Sequence, residues 1–289
     1  MSLQKPSEMT ATSARLRPVA AAVKGVPTAD GAGVRLTRLL GTQEAQMFDP
    51  FLMLDHFDSG QASDYIAGFP DHPHRGFQTV TYMLEGRIRH KDNTGREGVV
   101  GPGGVQWIRA GRGVVHSEMP EQDHGRMRGF QLWVNLPAAL KMSAPDYQEF
   151  DAGQIPVETR EGGAAVRVVA GRTSRGLAGP VGDSAVDAVY LDVALPAGAR
   201  FEEPVAAGRN VMVVVYDGAV RIDGRRIEAV GAVFLGEGER VEIAAEDDAG
   251  FLLIAGRPIG EPVAWGGPFV MNTREEVMTA FADFRAGRF

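Results

Sequence analysis

The sequence predicts an all-β fold made of two copies of one β-barrel module, on three observations. Glycine fills 37 of 289 positions, nearly twice the ~7 per cent average, and that many glycines imply many tight turns. Short β-type runs recur at close intervals between Gly, Asp, Asn and Pro, the pattern of a sandwich or barrel. These runs fall into two series that can be laid on each other.

Taken in order, residues 1–33 are expected to be a flexible N-terminus, because Met1 to about Arg17 is polar and rich in Ser, Thr and Ala without periodicity. Structure is expected from Val34. The first series includes Thr79 to Leu84, Arg87 to His90, Val105 to Ile108 and Phe130 to Asn135, and Leu136 to Met142 reads as a short helix opened by Pro137. The second series includes Val166 to Ala170, Ala188 to Val193, Val211 to Tyr216, Val220 to Ile222, Ala232 to Leu235, Val241 to Ile243 and Phe251 to Ala255. A helix closes the chain, since Thr273 and Glu276 form a capping box and Val277, Phe281 and Phe284 repeat at helical spacing.

A shift of 132 lays Thr79 to Leu84 on Val211 to Tyr216, and a shift of 127 lays Trp107 on Phe234 and Val114 on Val241. The domains expected are therefore a barrel at 34–150, a second at 160–258, and a segment 259–289 that packs back on the barrels. Pro262, Trp265, Pro268 and Phe269 make that segment too apolar to hang free.

Composition removes several function classes. With 0 cysteines, disulfides, thiolate metal sites and Cys nucleophiles are excluded, so any metal must sit on His and carboxylates. A net charge of −7 without a long basic run argues against direct nucleic-acid binding. The longest apolar runs are too short to span a bilayer, so no membrane association is expected, and the chain reads as soluble, cytoplasmic and monomeric.

Four polar residues of the first copy have the spacing that metal chemistry needs. His72 and His74 flank Pro73, while His116 and Glu118 flank Ser117. Residues i and i+2 of a strand share a face, so each pair aims two ligand atoms the same way. Three imidazoles and a carboxylate suit iron, nickel, copper, manganese or zinc and leave coordination positions open. Applying the two shifts places these residues on Pro204, Ala206, Ile243 and Ala245, so the site is expected in the first barrel only.

The segments MFDPFLMLDHF at 47–57, HPHRGFQTVTYMLEG at 72–86, AGRGVVHSEMP at 110–120 and EPVAWGGPFVMNT at 261–273 together resemble the pirin family of bicupins. That resemblance implies two tandem cupin barrels, of the double-stranded β-helix or jelly-roll type, with a short C-terminal helix. It also implies one divalent ion, iron(II) first with nickel, copper, manganese or zinc as alternatives, on His72, His74, His116 and Glu118. The activity implied is a dioxygenase of the quercetin 2,3-dioxygenase type, with a small aromatic substrate and dioxygen as its partners. The alternative is a non-enzymatic, metal-dependent regulator with a protein partner.

One departure is Gln78, where the family commonly has Glu. Gln78 cannot ionise, so its expected role is a hydrogen bond that orients a ligand. Proton transfer would then fall to Glu118, to a neighbour such as His56, or to solvent. Phe51, Met53 and Phe57 are candidates for the cavity mouth, and Arg75 is expected to pair with Glu85 or Asp71. The Glu202–Glu203 run reads as a solvated loop, and His90 and His124 as surface residues.

Overall fold

The computed structural model describes residues 14–182 and 184–289, and the expected polar terminus at 1–13 lies outside the described residues. Twelve strands and one short helix fill the first half: β1 (Val19–Lys24), β2 (Val26–Asp30), β3 (Val34–Leu40), β4 (Phe51–Ser59), β5 (Phe69–His74), β6 (Phe77–Glu85), β7 (Ile88–Asp92), β8 (Glu97–Val100), β9 (Val105–Arg109), β10 (Val114–Pro120), β11 (Met127–Asn135), α1 (Ala138–Lys141) and β12 (Asp146–Phe150). The second half contains β13 (Val157–Thr159), β14 (Ala165–Ala170), β15 (Val189–Leu195), β16 (Arg200–Pro204), β17 (Asn210–Asp217), β18 (Ala219–Ile222), β19 (Arg225–Glu228), β20 (Gly231–Leu235), β21 (Arg240–Ala245), β22 (Ala249–Gly256), β23 (Ala264–Gly266), β24 (Phe269–Met271) and α2 (Arg274–Arg285).

Each half closes a seven-stranded sheet over a four-stranded one. The first pairs β12-β9-β6-β11-β4-β3-β2 with β5-β10-β7-β8, and the second pairs β1-β20-β17-β22-β15-β14-β13 with β16-β21-β18-β19. The two orders match strand for strand, which is the duplication read as architecture. The outer faces of the two large sheets bury Phe51, Val80, Tyr82, Trp107 and Phe130 of one half against Tyr190, Met212, Val214, Leu252 and Ile254 of the other. Side chains alternate along each strand, so the opposite set on the same strands points into its own barrel.

The first strand departs from expectation. Residues 19–24 are not flexible: β1 pairs antiparallel with β20, Val19 opposite Leu235 and Lys24 opposite Gly231, and Arg17 is buried with its guanidinium on the carbonyls of Ala206 and Gly236. The N-terminal strand therefore completes the second barrel, while β12, after the first barrel, occupies the matching edge of the first. The pairing spans more than 200 residues, and Ala20 to Val23 is too bland a stretch to announce it.

The segment after β22 crosses back to the first barrel. Its hairpin β23–β24 sets Trp265 opposite Val270, and the Val270 amide donates to the Arg75 carbonyl while the Arg75 amide donates to that of Pro268. Gly76, at φ +88°, is required there, because a Cβ would stand 2.0 Å from the Val270 carbonyl oxygen. Lys141 pins the junction from inside: its buried Nζ donates to the carbonyls of Gly76 (2.7 Å) and Val270 (2.9 Å) and to Asn135 Oδ1 (2.6 Å), and burial lowers its pKa to about 8. Helix α2 opens on the Thr273–Glu276 capping box, a motif worth about 1 kcal/mol, and lays Val277 against Gly266 and Phe281 against Phe269. Arg75 pairs with Asp283 of this helix at 2.8 Å rather than with Glu85 or Asp71.

Candidate metal centre

Strand β10 carries the centre of the site and takes its partners from both sides. Against β5, His116 stands opposite His72 and Val114 opposite His74, with a bulge before Glu118. Against β7, Glu118 stands opposite His90 and His116 opposite Asp92. The i, i+2 spacing thus turns His72, His74, His116 and Glu118 into the first barrel.

The three histidines converge. Their ring centroids are 4.7 Å (His72 to His74), 4.4 Å (His72 to His116) and 5.0 Å (His74 to His116) apart, and one ligand nitrogen from each lies within 4.8 Å of the others. His72 Nδ1 donates to the Pro70 carbonyl at 2.8 Å, which fixes its tautomer and leaves Nε2 free to coordinate. Nδ1 of His74 and both ring nitrogens of His116 are buried without a hydrogen-bond partner. Burial, reinforced by the neighbouring histidines, holds His74 well below the usual imidazole range; burial and then His72 push His116 down to about 3. Neutral imidazoles with unshared lone pairs are the form a metal ion binds, so the donor set fits one.

Glu118 is buried beside this group but is not part of the three-histidine cluster. Its carboxylate accepts from Thr81 Oγ1 at 2.9 Å and from Gln131 Nε2 at 2.6 Å, with His90 Nδ1 at 3.4 Å from Oε1. Far from lying on the surface, His90 is 4 % exposed, and burial lowers its pKa to about 4. Thr81, Gln131 and His90 were not anticipated. Alternation along β6, β7 and β11 is the signal that could have found them, since each shares a face with interior residues of its own strand.

The same alternation removes two expected residues. Gln78 lies on the outer face of β6: it accepts from Trp107 Nε1 at 2.9 Å and donates to the Ser184 carbonyl at 2.8 Å, binding the two barrels together instead of orienting a ligand. His56 stands opposite Phe130 and stacks on it at 4.7 Å, again on the outer face, where burial pushes its pKa down to about 4. Of the residues expected at the mouth, Met53 lines the cavity, while Phe51 and Phe57 enter other apolar clusters.

The cavity over the histidines measures about 600 Å³ and is walled by Met53, Trp133, Trp265 and Pro268 with Arg38, Asp30 and Asp71 at its polar side. His72 is half-buried and Pro70 and Asp71 are exposed, so it opens to solvent. A second cavity of about 420 Å³, lined by His90, Asp92, Gln106 and Tyr147, reaches His116 from the other end of the barrel.

The second barrel holds a contrasting interior at equivalent positions. Strand register makes Phe201 and Glu203 the counterparts of His72 and His74, and Ile243 and Ala245 those of His116 and Glu118. The expected counterparts Pro204 and Ala206 are therefore wrong by three positions. Two residues join β5 to β6, whereas five join β16 to β17, so the shift of 132 does not hold across that loop. Thr81, Gln131, Gln106 and His90 likewise correspond to Val213, Leu253, Val233 and Val220.

Comparison with known proteins agrees with this architecture. The family model Pirin matches residues 33–134, and the model Pirin C-terminal cupin domain matches 190–289. A pirin-like protein of Caulobacter vibrioides is 70 % identical over 274 residues, covering 95 % of this chain and 99 % of that protein. Human pirin is 41 % identical over 263 residues, with coverage of 89 % and 88 %. The crystal structure of quercetin 2,3-dioxygenase from Acinetobacter baumannii superimposes with a TM-score of 0.87 at 34 % identity, covering 95 % of this chain and 98 % of that one. No helix among the described residues is long and apolar enough to cross a membrane.

Proposed function

The chain belongs to the pirin family, and from that premise we propose that its first barrel is a metal-dependent dioxygenase acting on a flavonol of the quercetin type or a similar enolic aromatic compound. The observation that carries this reading is the convergence of three histidines, with buried unpartnered ring nitrogens on His74 and His116 and with His72 and His74 lining an open, aromatic-walled cavity. His72, His74 and His116 would hold one divalent ion, iron(II) first among the candidates, with Glu118 as the fourth protein ligand. When bound, such an ion supplies a Lewis acid and a one-electron centre for the substrate hydroxyl and dioxygen.

The protein's own contribution is positional. The Thr81 hydroxyl and the Gln131 amide hold the Glu118 carboxylate in one orientation, and such supporting hydrogen bonds govern both ligand geometry and affinity. Glu118 is also a buried carboxylate two residues along the strand from His116, and would take the proton of a substrate hydroxyl at one of its oxygens. The Met53 and Trp133 side chains exclude water from the face a flat substrate would cover. Room for a substrate supports catalysis over a purely regulatory metal site, which needs no such cavity.

The test is oxygen uptake with quercetin, followed together with loss of the flavonol absorption band. The iron-loaded protein should turn over, while metal-free protein and His74→Ala should not. Uptake indistinguishable from free metal across iron, nickel, copper and manganese reconstitutions would overturn the assignment.

A further inference from the structure

Trp265 belongs to the segment that follows the second barrel, yet it stands at the mouth of the first barrel's cavity. Its ring centroid is 5.8 Å from that of Trp133, which is 4.3 Å from Phe77 and 5.1 Å from His74. These rings make a continuous shelf from the histidine cluster outward. Trp265 is 40 % exposed, and an exposed indole contiguous with other apolar surface, rather than isolated, marks a binding face. The shelf is built in place: Trp265 Nε1 donates to the Gly267 carbonyl at 2.9 Å, Gly266 beside it packs on Val277 of α2, and α2 is tied by Asp283 to Arg75, next in sequence to His74.

The polar side of the mouth sets a second criterion. Asp30 and Asp71 line it together with Arg38, and Arg38 is already engaged by Asp55 through two 2.8 Å hydrogen bonds and by Asp30 at 2.9 Å. A small carboxylate or phosphate entering here meets two acids and a guanidinium whose charge is neutralised, whereas an uncharged ring system meets the shelf.

We infer that Trp265 is a specificity-determining residue: it stacks on the distal ring of a flat, uncharged, multi-ring aromatic ligand, so that the metal-free half of the chain selects what the metal-bearing half receives. This rests on the flavonol reading above and adds to it. A one-ring ligand seated at the histidines lies two ring-steps short of Trp265, and a three-ring flavonol spans that distance. The wall should therefore act on the second and not on the first.

The test is anaerobic calorimetric titration of quercetin and of catechol into the iron(II)-loaded full chain, with steady-state kinetics alongside. Trp265→Ala should weaken quercetin binding and raise KM about tenfold, the scale of one lost aromatic contact with its burial, while kcat and catechol affinity stay within about twofold. Trp265→Phe should restore most of the loss. Unchanged quercetin affinity in Trp265→Ala overturns the inference and leaves the flavonol reading intact, as does an equal loss for catechol, which would mean a structural role. Wild-type protein that binds neither compound overturns both.

Discussion

The two barrels share a strand order and differ in what fills them. At matching positions the first carries His72, His74, His116, Glu118, Thr81, Gln131 and His90, and the second carries Phe201, Glu203, Ile243, Ala245, Val213, Leu253 and Val220. The second interior is a continuous apolar core that takes in Val19 and residues from Ala164 to Ala255, while among the described residues the first keeps two smaller clusters. Forgoing that apolar burial costs stability, so the first barrel's polar interior is explained by chemistry and not by folding.

The exception in the second barrel is instructive. Glu203, the counterpart of His74, is buried and paired with Arg160 at 2.5 Å, and it also accepts from the Ser174 amide at 2.6 Å. Arg160 lies over the Phe201 ring at 4.7 Å and occupies the position that Asp30 occupies at the mouth of the first barrel. An arginine drawn inward by Glu203 plugs one mouth, where the other has an aspartate drawn aside by Arg38. Glu203 is thus neither in a loop nor solvated.

The largest expected effect follows from that plug. Glu203→Leu alone leaves the buried Arg160 with Glu158, at 2.6 Å, as its remaining carboxylate and should cost about 3 kcal/mol, the low end for a broken buried pair, whereas the double change Glu203→Leu, Arg160→Met should recover part of that loss. Urea denaturation of both variants decides it, and a fully tolerated Glu203→Leu would mean that the pair does not close the barrel. Next is His56, whose counterpart across the interface is Asp192, held by the Tyr82 hydroxyl at 2.6 Å. Burial lowers the His56 pKa to about 4, so its contribution is complete above its ordinary value near 6.5 and disappears as pH falls through 4. The wild type should lose about 3 kcal/mol more than His56→Phe over that window, and parallel stability curves would contradict it. The smallest effect is at Thr81, where Thr81→Val removes one donor to Glu118. Metal affinity should fall about 10-fold or somewhat more with little change in melting temperature, and an unchanged affinity would separate Glu118 from the metal.

Much of this was legible in residues i and i+2. The pairs His72/His74 and His116/Glu118 announce their shared face because strand periodicity is strict, and the duplication is visible through matched Gly turns. What the sequence hid is what depends on loop length and on distant pairing. Unequal β5–β6 and β16–β17 connections concealed Glu203 as the partner of His74, and β1 pairs with a strand at the far end of the chain. The distance of Gln78 in sequence from His74 says nothing about its face: Gln78 alternates with Phe77 and Thr79 and so points outward. Trp265 was recognisable as too apolar to be free, but only the crossing-back of its hairpin reveals which cavity it borders.

The central claim is that one barrel binds a metal and its twin does not. Elemental analysis of protein reconstituted with iron(II) under anaerobic conditions tests it most directly, with circular dichroism to verify folding. Wild type should hold one ion per chain and His74→Ala close to none, both with native spectra. Two ions per chain, or full occupancy in His74→Ala, would contradict it.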